Sequence, residues 1–209
     1  MPGRFCTLMP LALLLAGCSY TGTRQEGVFE AVPRSAVHGR QLNFGSGFRS
    51  FEDEDFGELD DQIVITLDFC EPMGYEHVRL EGGLHYSQEE DDQLDSGGMR
   101  RRLKGESYEI SAGINASGLL GKLRPFVGLG ISMLFLNLRA IDDGSGTIFD
   151  EDDVTMGGYV KAGLLFQISR TSHMGVEFRH FEGGDASLAG ADLSTGYDQV
   201  VFVFGTSFQ

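Results

Sequence analysis

Val78–Tyr86 reads VRLEGGLHY, and its alternation decides the fold. Val78, Leu80, Gly82, Leu84 and Tyr86 form one face, and Arg79, Glu81, Gly83 and His85 form the other. A period of two is that of a β-strand, whose successive side chains point to opposite sides. The same division recurs on both sides of it. Ile63, Ile65, Leu67 and Phe69 alternate with Val64, Thr66, Asp68 and Cys70, and Tyr108, Ile110, Ala112 and Ile114 alternate with Glu109, Ser111, Gly113 and Asn115. Further along, Val160, Ala162, Leu164, Phe166 and Ile168 oppose Lys161, Gly163 and Gln167, and Val200, Phe202 and Phe204 oppose Gln199, Val201, Val203 and Gly205.

Eight such runs lie near 40–50, 61–70, 75–87, 105–116, 122–139, 155–168, 172–182 and 197–208. A soluble barrel or sandwich turns its apolar face inward and its ions to water. A membrane barrel does the reverse, with an apolar exterior and a polar interior. The connections choose between them. Those around Glu71–Gly74, Ala116–Gly121 and Arg170–Thr171 are short, and the others are long and mostly acidic. Short turns alternating with long loops predict an all-β, eight-stranded, antiparallel up-and-down transmembrane barrel over 39–209.

Composition agrees. The chain has 209 residues, 31 Asp and Glu against 16 Lys and Arg, and a formal charge of −15, so no basic face is available for nucleic acid. Sixteen Phe and 41% hydrophobic residues are too apolar for a disordered acidic chain. The stretch 1–20, MPGRFCTLMPLALLLAGCSY, has one positive charge, a short apolar run and small residues before a cysteine. That is the form of a secretory signal and is too short to span a membrane. Leu15, Ala16, Gly17 and Cys18 resemble the bacterial lipobox. The resemblance implies a signal over 1–17, a diacylglyceryl group on Cys18, and a periplasmic linker over 18–38 holding the barrel to the outer membrane from its inner side.

Leu123–Ser132 (LRPFVGLGIS) resembles the fifth strand of small outer-membrane barrels similar to the transmembrane domain of outer-membrane protein A. Gly175–Phe181 (GVEFRHF) resembles their seventh strand, and the closing VFVFGTSF their aromatic assembly signal, although here Gln209 follows Phe208. Outer-membrane lipid, lipopolysaccharide and the barrel-assembly machinery are the partners this implies. No cofactor is expected, and no extracellular ligand is specified.

Charges on the interior face are Asp68, Arg79, Glu81, Glu109, Lys161, Glu177 and Arg179. An eight-stranded barrel is only wide enough inside for side chains, so these ions must pair. A salt-bridged plug is the expectation, and an ion or proton path is the alternative. Asp142, Asp143, Asp150, Glu151, Asp152 and Asp153 crowd one connection and suggest weak divalent-cation binding. An EF-hand is not formed, because Ile141 stands at the first ligand position and Asp152 at the twelfth. Glu89–Asp92 and Arg100–Arg102 with Lys104 flank a Gly-Gly pair, as in a self-paired hairpin or an anion-recognising surface.

Two other classes of function remain in view. The lipid A deacylase barrels carry a His-x-Ser pair in their seventh strand, and the corresponding residues here are His180, Phe181 and Glu182. A carboxylate cannot serve as that nucleophile, so the chain is expected not to be an enzyme. A periplasmic, lipocalin-like carrier is disfavoured by the lack of any tryptophan.

Overall fold

The computed structural model describes residues 39–51, 61–75, 77–94, 100–142, 146–188 and 191–208. The expected signal and linker, with Cys18, lie outside the described residues. Ten strands are formed: β1 (Arg40–Phe51), β2 (Asp61–Pro72), β3 (Val78–Leu94), β4 (Arg100–Ser117), β5 (Leu123–Asp142), β6 (Gly146–Gln167), β7 (Ser172–Gly183), β8 (Asp185–Leu188), β9 (Ala191–Ser194) and β10 (Tyr197–Phe208). Eight of them close a barrel in the order β1-β10-β7-β6-β5-β4-β3-β2, with every pairing antiparallel. The row of paired residues from Phe51 runs through Tyr197, Phe181, Tyr159, Gly130, Gly113, Glu81 and Cys70. It returns to β1 at Gln41, ten residues before its start, so the strands are staggered and tilt around the axis.

The exterior is apolar. Ile65 (58% exposed), Leu129 (57%) and Phe202 (53%) point outward, while Arg49 and Arg179 on neighbouring inward positions are fully buried. Water would oppose such an exterior, and a bilayer favours it. At one end the chain turns tightly. Gly74 (φ 81°) and Gly121 (φ 66°) occupy the left-handed region, which a side chain would strain.

At the other end the barrel departs from the expected acidic loops. β3, β4, β5 and β6 are 17, 18, 20 and 22 residues long, against the 9–11 or so that cross a bilayer. They continue beyond the apolar belt as a four-stranded wall. The connection after β7 holds the small β8/β9 hairpin, whose Ala186 and Leu193 are buried with Phe51, Leu134, Leu136, Tyr159, Phe181 and Tyr197. This apolar layer closes the loop end of the lumen. Tyr159 fits because Gly113 and Gly130 face it, and a Cβ on either glycine would meet the ring or a neighbouring strand's carbonyl oxygen.

Candidate functional site

The lumen is built on Glu109 in β4. Its Oε2 accepts from Arg49 Nη2 (2.7 Å) and from the Tyr197 hydroxyl, and its Oε1 accepts from Arg179 Nη2 and from Ser132 Oγ (2.7 Å). Arg49 also donates to Ser107 Oγ (3.0 Å) and Gln199 Oε1 (2.9 Å). The guanidinium groups lie on aromatic faces, Arg49 at 4.0 Å from the Tyr197 centroid and Arg179 at 3.7 Å from that of Tyr159. A second cluster centres on Lys161, whose Nζ is 2.7 Å from Glu81 Oε1 and 2.9 Å from Glu177 Oε2. Asp68 meets His85 Nε2 at 3.2 Å, and Arg79 donates to Ser117 Oγ at 2.8 Å.

All seven charges expected on the interior face are therefore buried in the lumen, divided among three groups and Arg79. The lumen also recruits residues outside that set. Arg49, near the end of β1, continues the inward positions of Gly45 and Gly47. Arg124, near the start of β5, is 2% exposed and donates to Gln41 Oε1 at 3.1 Å. Tyr159 and Tyr197 supply the hydroxyls and rings that complete the two clusters. Strand parity carried to the ends of each run would have found all four.

The six carboxylates expected to share one loop do not converge among the described residues. Asp143 lies outside them, Asp142 ends β5, and Asp150, Glu151, Asp152 and Asp153 all belong to β6. Alternation along β6 sends Asp150 and Asp152 to the exposed face and leaves Glu151 and Asp153 half-buried on the other. Asp150 is also committed: Arg139 Nη2 approaches Oδ2 to 2.6 Å, and Asn137 Nδ2 donates to Oδ1 at 3.2 Å. The bond from Arg139, with that from Asn137, holds the Asp150 carboxyl below the ordinary range.

What the extended strands form instead is a charged outer wall. Glu90, Lys104, Arg139 and Asp150 pair in one row across β3, β4, β5 and β6. Arg102 Nε reaches Glu90 Oε1 at 2.9 Å and Asp92 Oδ1 at 3.1 Å, and Lys104 meets Glu106 at 2.8 Å. Four residue pairs nearer the turn end lie Tyr86 and Tyr108, ring centroids 4.9 Å apart, with the Tyr86 hydroxyl donating toward Gln88 and Glu106. Tyrosines with wet hydroxyls and apolar neighbours mark the interfacial girdle of a membrane barrel.

The fold, and the fold alone, is shared with known proteins. The outer membrane protein OprG from Pseudomonas aeruginosa superimposes with a TM-score of 0.59 at 10% identity, covering 84% of this chain and 99% of its own. The fold is that of the small eight-stranded outer-membrane barrels. Neisserial surface protein A gives 0.52 at 14% identity, over 81% of this chain and 96% of its own. The outer membrane enzyme PagL gives 0.39 at 14% identity, too loose a likeness to bear on activity. No protein-family model and no curated protein matches the sequence.

His180, the residue on which a deacylase reading depends, half-exposed at the loop-side edge of the belt, meets Asp198 Oδ1 through Nδ1 at 2.9 Å and Glu182 Oε2 through Nε2 at 3.9 Å. Carboxylates occupy this neighbourhood, and the position two residues on offers no hydroxyl to activate.

Proposed function

We propose that the protein is a non-catalytic outer-membrane barrel lipoprotein, anchored through Cys18 on the periplasmic side, which presents its charged outer wall to lipopolysaccharide headgroups and their divalent cations. The observation that carries this reading is the row Glu90, Lys104, Arg139 and Asp150, raised four residue pairs beyond the Tyr86/Tyr108 girdle. That height corresponds to the headgroup layer, where cations on a rigid sheet meet phosphate and carboxylates meet bridging metal ions. The paired lumen supports a structural role better than conduction, because ion-paired and packed apolar side chains occupy most of the described interior. The barrel-assembly machinery is a further partner in this reading, through the closing aromatic Phe208.

Titrating the refolded barrel with purified lipopolysaccharide tests the wall. Wild type should bind with an affinity that falls as salt rises, and Lys104→Gln with Arg139→Gln should weaken it about tenfold at low salt. Equal binding by the double variant would exclude the wall as the contact surface. Separately, labelled palmitate should enter the wild-type protein in a Gram-negative host and be absent from Cys18→Ala. Labelling of the variant would remove Cys18 as the acylation site.

A further inference from the structure

Among the described buried side chains of the barrel, five cations (Arg49, Arg79, Arg124, Lys161 and Arg179) face four carboxylates (Asp68, Glu81, Glu109 and Glu177). Each carboxylate has a basic partner, and none of those partners is Arg79. Glu109 holds Arg49 and Arg179, Glu81 and Glu177 share Lys161, and Asp68 meets His85. Arg79 is 4% exposed. Among the described residues it donates one hydrogen bond, to the neutral Ser117 hydroxyl, and its buried Nε has no partner. A guanidinium cannot shed its proton, so Arg79 keeps its charge at any working pH. A buried charge without a counter-charge is costly, and a hydroxyl or a water satisfies its hydrogen bonds without neutralising it.

Arg79 borders a cavity of about 10 Å³ near the turn end of the lumen, room for one body the size of a water molecule. Arg124 and Lys161 also line it, against Glu81 and Glu177, so the lining carries three cations and two carboxylates. Two further donors line it: the Asn115 amide, which also donates to Glu81 Oε2 at 3.2 Å, and the Ser117 hydroxyl. A metal cation is disfavoured there by the sign of the surplus, and a phosphate by the volume.

We propose that this cavity binds a single small monovalent anion, a halide, against the Arg79 guanidinium, completing the charge balance of the lumen. The test uses the full barrel refolded in detergent micelles. Crystals grown in sodium bromide should show an anomalous bromide peak within hydrogen-bond reach of Arg79. At fixed ionic strength, bromide in place of gluconate should lower the wild-type unfolding constant about tenfold when bromide is at ten times its Kd, and Arg79→Met should lose that difference. A water without anomalous signal at Arg79, or a wild-type unfolding midpoint indifferent to the anion, overturns the proposal. Both measurements on the wild type decide the matter even if Arg79→Met does not fold.

Discussion

Glu109→Ala is expected to destabilise the barrel by about 3–5 kcal/mol, the cost of leaving buried charges without their partner. Glu109 accepts from Arg49, Arg179, Ser132 and Tyr197, and its side chain and both guanidinium groups are fully buried. Alanine therefore orphans two cations together with a tyrosine hydroxyl that donates to the same carboxylate. Urea unfolding of the barrel in lipid vesicles, followed by far-ultraviolet circular dichroism, measures the loss. Adding Arg49→Met to Glu109→Ala should recover part of it, since one of the two orphaned charges then disappears. A Glu109→Ala variant within about 1 kcal/mol of wild type would mean that the cluster contributes little beyond filling space.

Phe204→Arg is expected to cost about 2–4 kcal/mol in a bilayer, the range for an arginine at mid-membrane depth on a barrel exterior. Phe204 lies midway along the outward run from Val200 to Phe208, between Phe44 of β1 and Met174 of β7. Ser50→Arg, at the belt's loop-side edge and opposite Asp198, should cost only about 0–1 kcal/mol, as interfacial positions do. The comparison separates lipid from water as the outer solvent. In a soluble barrel an exposed Phe204→Arg would be harmless, so equal stabilities for the two variants would rule out a membrane exterior.

The sequence went furthest where the two faces of a strand meet different solvents. Within the belt, lipid outside and a largely polar interior favour alternation, and Ile65–Phe69 and Val78–Tyr86 carry it. Beyond the belt the outer faces of β3, β4, β5 and β6 turn polar as well. The period of two then fades, and Glu89–Asp92 or Asp150–Asp153 resemble an acidic loop. Those segments remain strands because cross-strand pairs such as Asp92 with Arg102 and Arg139 with Asp150 hold the register.

Arg49 and Arg124 illustrate the other limit. Each stands at the end of an alternating run, where one more charged residue resembles the start of a loop or turn. By itself the sequence determined the eight strands of the barrel, their outward and inward faces, the side on which the turns are short, and most of the charges that lie inside. Only the tertiary structure decided which partners those were. The ten-residue stagger brings Glu109 of β4 to Arg49 of β1 and Arg179 of β7, and Lys161 of β6 to Glu81 of β3. That stagger follows from barrel closure, a property of all eight strands together that no local pattern in any one of them encodes.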